Sequence, residues 1–167
     1  MTAQILDRVL RCHRIGDPDG AYPIFDATGS KLSAGRWNTA ACPMIYTSEH
    51  YSTALLEKFV HGSGRIPPNQ HDIEITIPNG LSYEVFDPAT LPEWLHASAT
   101  ASKAYGDEWQ SSRRSLLLIA PSVVGWSSPS TRRLRSKASR NSGSASSSFP
   151  SVRRNAPMVL IDSSVSG

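Results

Sequence analysis

Cysteine is scarce in this chain: two residues, Cys12 and Cys42, among 167. Two thiols so placed make neither a disulfide framework nor a zinc-ligand spacing, which excludes a stapled secreted scaffold and a zinc module. The expected state is two free, buried thiols in a reducing compartment. Long apolar runs are also missing. No stretch approaches the roughly 18 apolar residues that span a bilayer. The N-terminal "MTAQILDRVLRCHR" carries charges through its apolar part, unlike a secretory leader. These absences predict a soluble, cytoplasmic protein with no membrane partner. No G-x-G-x-x-G follows a candidate strand, so a dinucleotide would not be held as a Rossmann fold holds it. No Ser/His/Asp set stands in a nucleophile-elbow context, and no internal repeat is visible.

Acidic residues are absent from most of the C-terminal quarter. Residues 1–124 hold 13 of the 14 acids and 10 of the 17 bases, whereas residues 125–167 hold one acid, Asp162, and seven bases. The sequence pI near 9.1 therefore belongs to the tail, and the body is mildly acidic. Such a tail can attach to nucleic acid non-specifically, but an acidic body argues against a specific nucleic-acid surface. Serine makes up a third of residues 125–167 and periodicity stops after Val124. The chain thus divides into a folded domain over 1–124 and a Ser/Arg-rich tail over 125–167, expected to be disordered. The late "VLIDSSV" is too isolated to assign.

Within the body, "RVLRCHRIG" (residues 8–16) alternates apolar and basic residues and predicts a strand. Residues 16–35, rich in Gly, Pro, Asp and Ser, predict a long loop of the kind that is usually functional. "PMIYTS" (43–48) predicts the next strand, with Thr47 and Ser48 as helix-start residues. "HYSTALLEKFVHG" predicts a helix closed by Gly62, with Tyr51, Leu55, Phe59, Leu56 and Val60 turned to the core and Glu57 and His61 off that stripe. "HDIEITIP" (71–78) reads as a half-buried strand. "PATLPEWLHASAT" and "ASKAYGDEWQSS" read as short helical or loop segments. "SLLLIAPS" (115–122) is a continuous apolar strand, expected to be central.

One turn stands out. "GRWN" (35–38) sets an arginine and a tryptophan where turns ordinarily use only Gly, Asn, Asp and Pro. Arg36 joins Arg14, Tyr46, Glu57 and Ser122 as polar residues that strand ends, a turn and a helix could bring to a shared edge. Singly, each has an ordinary reading as a solvated charge or turn residue. Together they describe a site for an anionic, aromatic ligand. Arginines hold phosphates by charge-assisted bonds, a tyrosine offers a flat face to a heterocycle, and a carboxylate stabilises an oxocarbenium-like sugar. NAD presents all three targets. Glu57 and His61 lack a third ligand, so no metal is expected.

"CHRIGDP", "GRWNTAACPMIYTSEHYSTALLEKFVHG", "YGDEW" and "SLLLIAPSVV" resemble the RES domain family, over roughly residues 8–124. The family is that of toxins paired with Xre-like, helix-turn-helix antitoxins, and is named for an arginine, a glutamate and a serine. The matching positions are Arg36 or Arg14, Glu57 and Ser122. The resemblance implies an α+β, ADP-ribosyltransferase-like fold, a split mixed sheet with flanking helices. It also implies cleavage of NAD, as substrate, at the nicotinamide–ribose bond, by glycohydrolase, phosphorylase or ADP-ribosyltransferase chemistry. In that picture Arg14 and Arg36 hold the diphosphate and adjacent ribose, Tyr46 stacks on nicotinamide, Glu57 stabilises the developing cation and Ser122 orients Glu57. Trp37 and Asn38 would brace the loop carrying Arg36.

After "PSVV" the family continues with an N-x-L-x-N-P-x-H-like stretch and a final strand bearing W-D or F-D. Neither is recognisable here, and the tail reads like a reading-frame change. A chain so altered is expected to lose sheet strands, and catalysis with them. The alternative to a NAD-consuming toxin is then a non-catalytic remnant that only binds an Xre-like antitoxin.

Overall fold

The computed structural model describes residues 3–123 and the backbone of 158–162. Its strands are β1 (Gln4–Ile5), β2 (Leu10–Gly16), β3 (Ile45–Ser48), β4 (His71–Ile77), β5 (Ser82–Val85), β6 (Leu117–Pro121) and β7 (Met158–Asp162). The helices are α1 (Thr28–Leu32), α2 (Tyr51–His61) and α3 (Thr100–Ser111), with two 3₁₀ turns at Pro88–Thr90 and Pro92–Leu95. All seven strands join one mixed sheet in the order β1-β5-β6-β7-β3-β2-β4. The α+β class with flanking helices is as expected.

Strand β7 is the keystone. It pairs in parallel with β6 on one side and β3 on the other, linking two three-stranded pieces, β1-β5-β6 and β3-β2-β4. The C-terminal stretch expected to be irregular thus contributes Met158–Asp162 to the middle of the sheet. The remaining expectations for residues 124–157 and 163–167 lie outside the described residues.

Alternation explains the long β2–β4 ladder. The register sets Leu10, Cys12 and Arg14 opposite Ile77, Ile75 and Ile73, so the isoleucines of "DIEITI" share a face with Cys12. That face forms one core with Leu6, Ile45 and Leu117. The other face holds Trp37, Met44, Phe86, Trp94, Trp109, Leu118 and Ala120. Strand β6 feeds both cores, Leu117 to one and Leu118 and Ala120 to the other. This is why "LLLIA" is apolar without alternation.

Two helices differ from the sequence expectation. "ASKAYGDEWQSS" is one continuous helix of 12 residues, α3, burying Ser102, Gly106 and Trp109. Gly106 lets the helix lie directly on the GRWN turn, because a Cβ there would overlap the Trp37 carbonyl oxygen. In α2 the apolar stripe does not form the core. Tyr51, Leu56, Phe59 and Val60 are each more than two-fifths exposed, and Ala54 is the buried residue. The inward positions are instead Ala54, Glu57 and Lys58, at i, i+3 and i+4, with His61 exposed at the cleft's edge, because α2 packs on β2 and β3 beside an open cleft. The helix starts from His50 as N-cap, with no side-chain capping bond. Thr47 and Ser48, expected to start it, are buried members of β3.

Candidate functional site

A cleft of about 420 Å³ lies at the carboxyl ends of β3 and β6 and is walled by α2. Open sheets with parallel strands characteristically offer ligand sites at such ends. Arg14, Arg36, Tyr46 and Glu57 all line it. Ser122, 2% exposed, lies immediately beyond β6 and donates a 2.6 Å hydrogen bond from Oγ to Glu57 Oε1. The five residues singled out in the sequence therefore meet at one place. Sequence reasoning missed Lys58 and His13, which also line the cleft.

The GRWN turn is rigid for identifiable reasons. Trp37 is 1% exposed and packs edge-on against Phe86 and stacked on Trp94. Asn38 is fully buried. Its Oδ1 accepts from Gly35 N and from the Tyr46 hydroxyl, each at 2.8 Å, and its Nδ2 donates to the carbonyls of Ser30 and Thr39. The Tyr46 hydroxyl in turn accepts from Trp37 N at 3.0 Å, and burial pushes the phenol pKa well above its ordinary value. Gly35 is required by proximity: a Cβ there would stand 2.5 Å from the Tyr46 oxygen. Tyr46 thus uses its hydroxyl to hold the turn and leaves its ring on the cleft wall.

Both arginines are held by backbone. Arg14 donates from Nη1 to Tyr46 O at 2.8 Å and from Nη2 to Asp26 O at 3.1 Å. Burial lowers its pKa against the opposing pull of Asp26. Arg36 donates from Nη1 to the carbonyls of Trp94 and His96, at 2.8 and 3.1 Å. Carbonyl partners orient a guanidinium without neutralising it, so both charges remain available to a ligand. Among the described lining residues three are Arg or Lys and one, Glu57, is a carboxylate. A cleft of that balance favours an anion.

Glu57 is the carboxylate of the same cleft. Its side chain is 22% exposed, and besides Ser122 it has His61 Nε2 at 3.8 Å from Oε2. His13, also on the cleft wall, bonds through Nδ1 to Asp72 Oδ2 at 3.0 Å. Chemically, the arrangement can hold a phosphate-bearing ligand on its cationic side chains and present a fixed carboxylate in the same cleft.

Comparison with known proteins identifies the family. Residues 11–134 match the family model described as the RES domain, and the chain belongs to that family. The match extends past residue 124, beyond the stretch that resembles the family by its motifs. The chain is also similar to the "Prs ADP-ribosylating toxin" of Sphingobium sp. (strain YBL2), 36% identical over 101 residues. That alignment takes in 58% of this chain and 63% of the relative, so the chain spans less than two thirds of that protein's length. No helix among the described residues is long and apolar enough to cross a membrane.

Proposed function

We propose that this chain is a RES-type toxin that cleaves NAD at the bond between nicotinamide and ribose, with transfer of the ADP-ribose. The observation that carries this reading is the 2.6 Å bond from Ser122 to Glu57, which fixes the carboxylate in the cleft that Arg14, Arg36 and Lys58 also line. As the glycosidic bond lengthens, nicotinamide leaves with the electron pair and positive charge grows on the ribose. A fixed carboxylate stabilises that charge more than it stabilises the ground state. The acceptor, water, phosphate or a protein side chain, then bonds to the same carbon and gives up its proton. Arg14 and Arg36 hold the diphosphate throughout, and the Tyr46 ring lies against the nicotinamide. The relative's name supports transfer of ADP-ribose as the outcome, and family membership supports an Xre-like helix-turn-helix antitoxin as the partner.

Because Met158–Asp162 completes the sheet, the full chain is expected to turn NAD over, contrary to the expectation drawn from its altered tail. The test is incubation of the purified full chain with NAD, measuring nicotinamide release and labelled ADP-ribose on added protein. Nicotinamide release that a co-purified Xre-like antitoxin suppresses is the expected result. A folded chain that binds the antitoxin and releases no nicotinamide would be the non-catalytic remnant instead.

A further inference from the structure

Among the described residues, Lys58 is the one Arg or Lys of the cleft that no protein group engages. Among the described residues its ammonium makes no hydrogen bond and no ion pair. Arg14 and Arg36 each already give two N–H groups to backbone carbonyls. Lys58 keeps all three of its donors. Its place is also fixed by the helix: Glu57 and Lys58 follow one another on the inward stripe of α2, so the residue beside the clamped carboxylate is a cation facing the same cavity.

We propose that Lys58 is a further ligand-binding residue of this cleft, donating to the diphosphate of the dinucleotide together with Arg14. The assignment rests on the dinucleotide reading above and makes it more specific: Lys58 selects ligands carrying a diphosphate over the nucleoside alone. Each non-bridging oxygen of a diphosphate can accept more than one hydrogen bond, so a third cationic donor adds to what two guanidiniums already committed to carbonyls can give. The electrostatics agree. Burial lowers the Lys58 pKa, nearby Arg14 lowers it further, and only Asp17 opposes them. Asp17 is itself engaged, accepting from Asp19 N and from Asn69 Nδ2. A half-buried ammonium beside an arginine is unfavourable until an anion arrives between them, and that is what a diphosphate supplies.

The test compares the full wild-type chain with Lys58→Met and Lys58→Arg by calorimetric titration with ADP-ribose, inorganic pyrophosphate and nicotinamide. Lys58→Met keeps the apolar stem and removes the charge. It should weaken ADP-ribose and pyrophosphate by roughly ten- to a hundredfold, leave nicotinamide unchanged and leave the melting midpoint of the free protein equal or higher. Lys58→Arg should restore most of the affinity. In turnover, Lys58→Met should raise KM for NAD by a similar factor with kcat within about twofold. Pyrophosphate separates this proposal from the dinucleotide reading. If the wild type binds pyrophosphate through Lys58 but not ADP-ribose, the dinucleotide reading falls and the Lys58 anion site stands. Pyrophosphate binding that is absent in the wild type, or equal in wild type and Lys58→Met, overturns the Lys58 assignment.

Discussion

Ser122 and Glu57 are 65 positions apart and meet through a 2.6 Å hydrogen bond. One follows β6 and the other stands on the helix after β3, so the bond spans the strand that separates them. Ser122→Ala should leave the carboxylate free to rotate. We expect kcat for NAD to fall about tenfold with KM little changed, and stability to fall by about 1 kcal/mol. Nicotinamide release and thermal melting read the two effects separately.

Glu57→Gln keeps the shape and removes the charge. Turnover should slow by roughly a hundredfold or more while affinity for ADP-ribose stays within a few fold, since only the transition state needs the charge. Equal rates for Glu57→Gln and wild type would sink the mechanism.

Gly35→Ala tests the turn. The new methyl collides with the Tyr46 hydroxyl, which also serves Trp37 N and Asn38. A loss of about 1–3 kcal/mol is expected, visible as a lowered melting midpoint. The double change Gly35→Ala with Tyr46→Phe should lose less than the sum of the two single changes, because the second removes the atom the first strikes.

The two free thiols should react unequally. Cys12 is fully buried and burial pushes its pKa up to about 12, so it stays protonated and unreactive at neutral pH. Cys42 is partly exposed, with its pKa raised less by burial and by Asp107. Alkylation of the native chain should modify Cys42 slowly and Cys12 only on unfolding, as peptide mass analysis would show. For Cys12 the folded pKa lies above the unfolded value near 9. Its contribution to stability is therefore complete below pH 9 and is lost as the pH rises toward about 12.

Leu160→Pro should be far more damaging than its distance from the cleft in sequence implies. It removes a backbone donor from β7, whose residue 160 is paired with both Ile119 and Thr47. Loss of cooperative folding, read by circular dichroism and size exclusion, is the expected outcome.

The elements that carry the cleft were legible because their patterns are local. β2 and β4 alternate, β6 is apolar throughout, and GRWN is too rich in bulky residues for a turn. The α2 stripe misled because a helix walling a cleft turns its polar residues inward, reversing the usual rule. That inversion also hid Lys58, which in sequence is an ordinary helix lysine. β5 escaped because its Glu84 is buried, where alternation would keep an acid outside; the Tyr105 hydroxyl bonds to it at 2.6 Å. β7 escaped because five residues after a long aperiodic stretch have no local context, and only pairing partners more than thirty positions away identify them.

On the ribosome, every described residue of the cleft is synthesised before Met158. At roughly 5–20 residues per second, the interval from Val123 to Met158 lasts about two to seven seconds. Throughout it β3 and β6 have no strand between them, and the two sides of the cleft belong to separate half-sheets. Folding of this chain therefore ends with a late insertion between two preformed edges. Until then both edges present unpaired backbone to any neighbouring nascent chain, so its yield in expression should depend on how quickly translation passes through that segment.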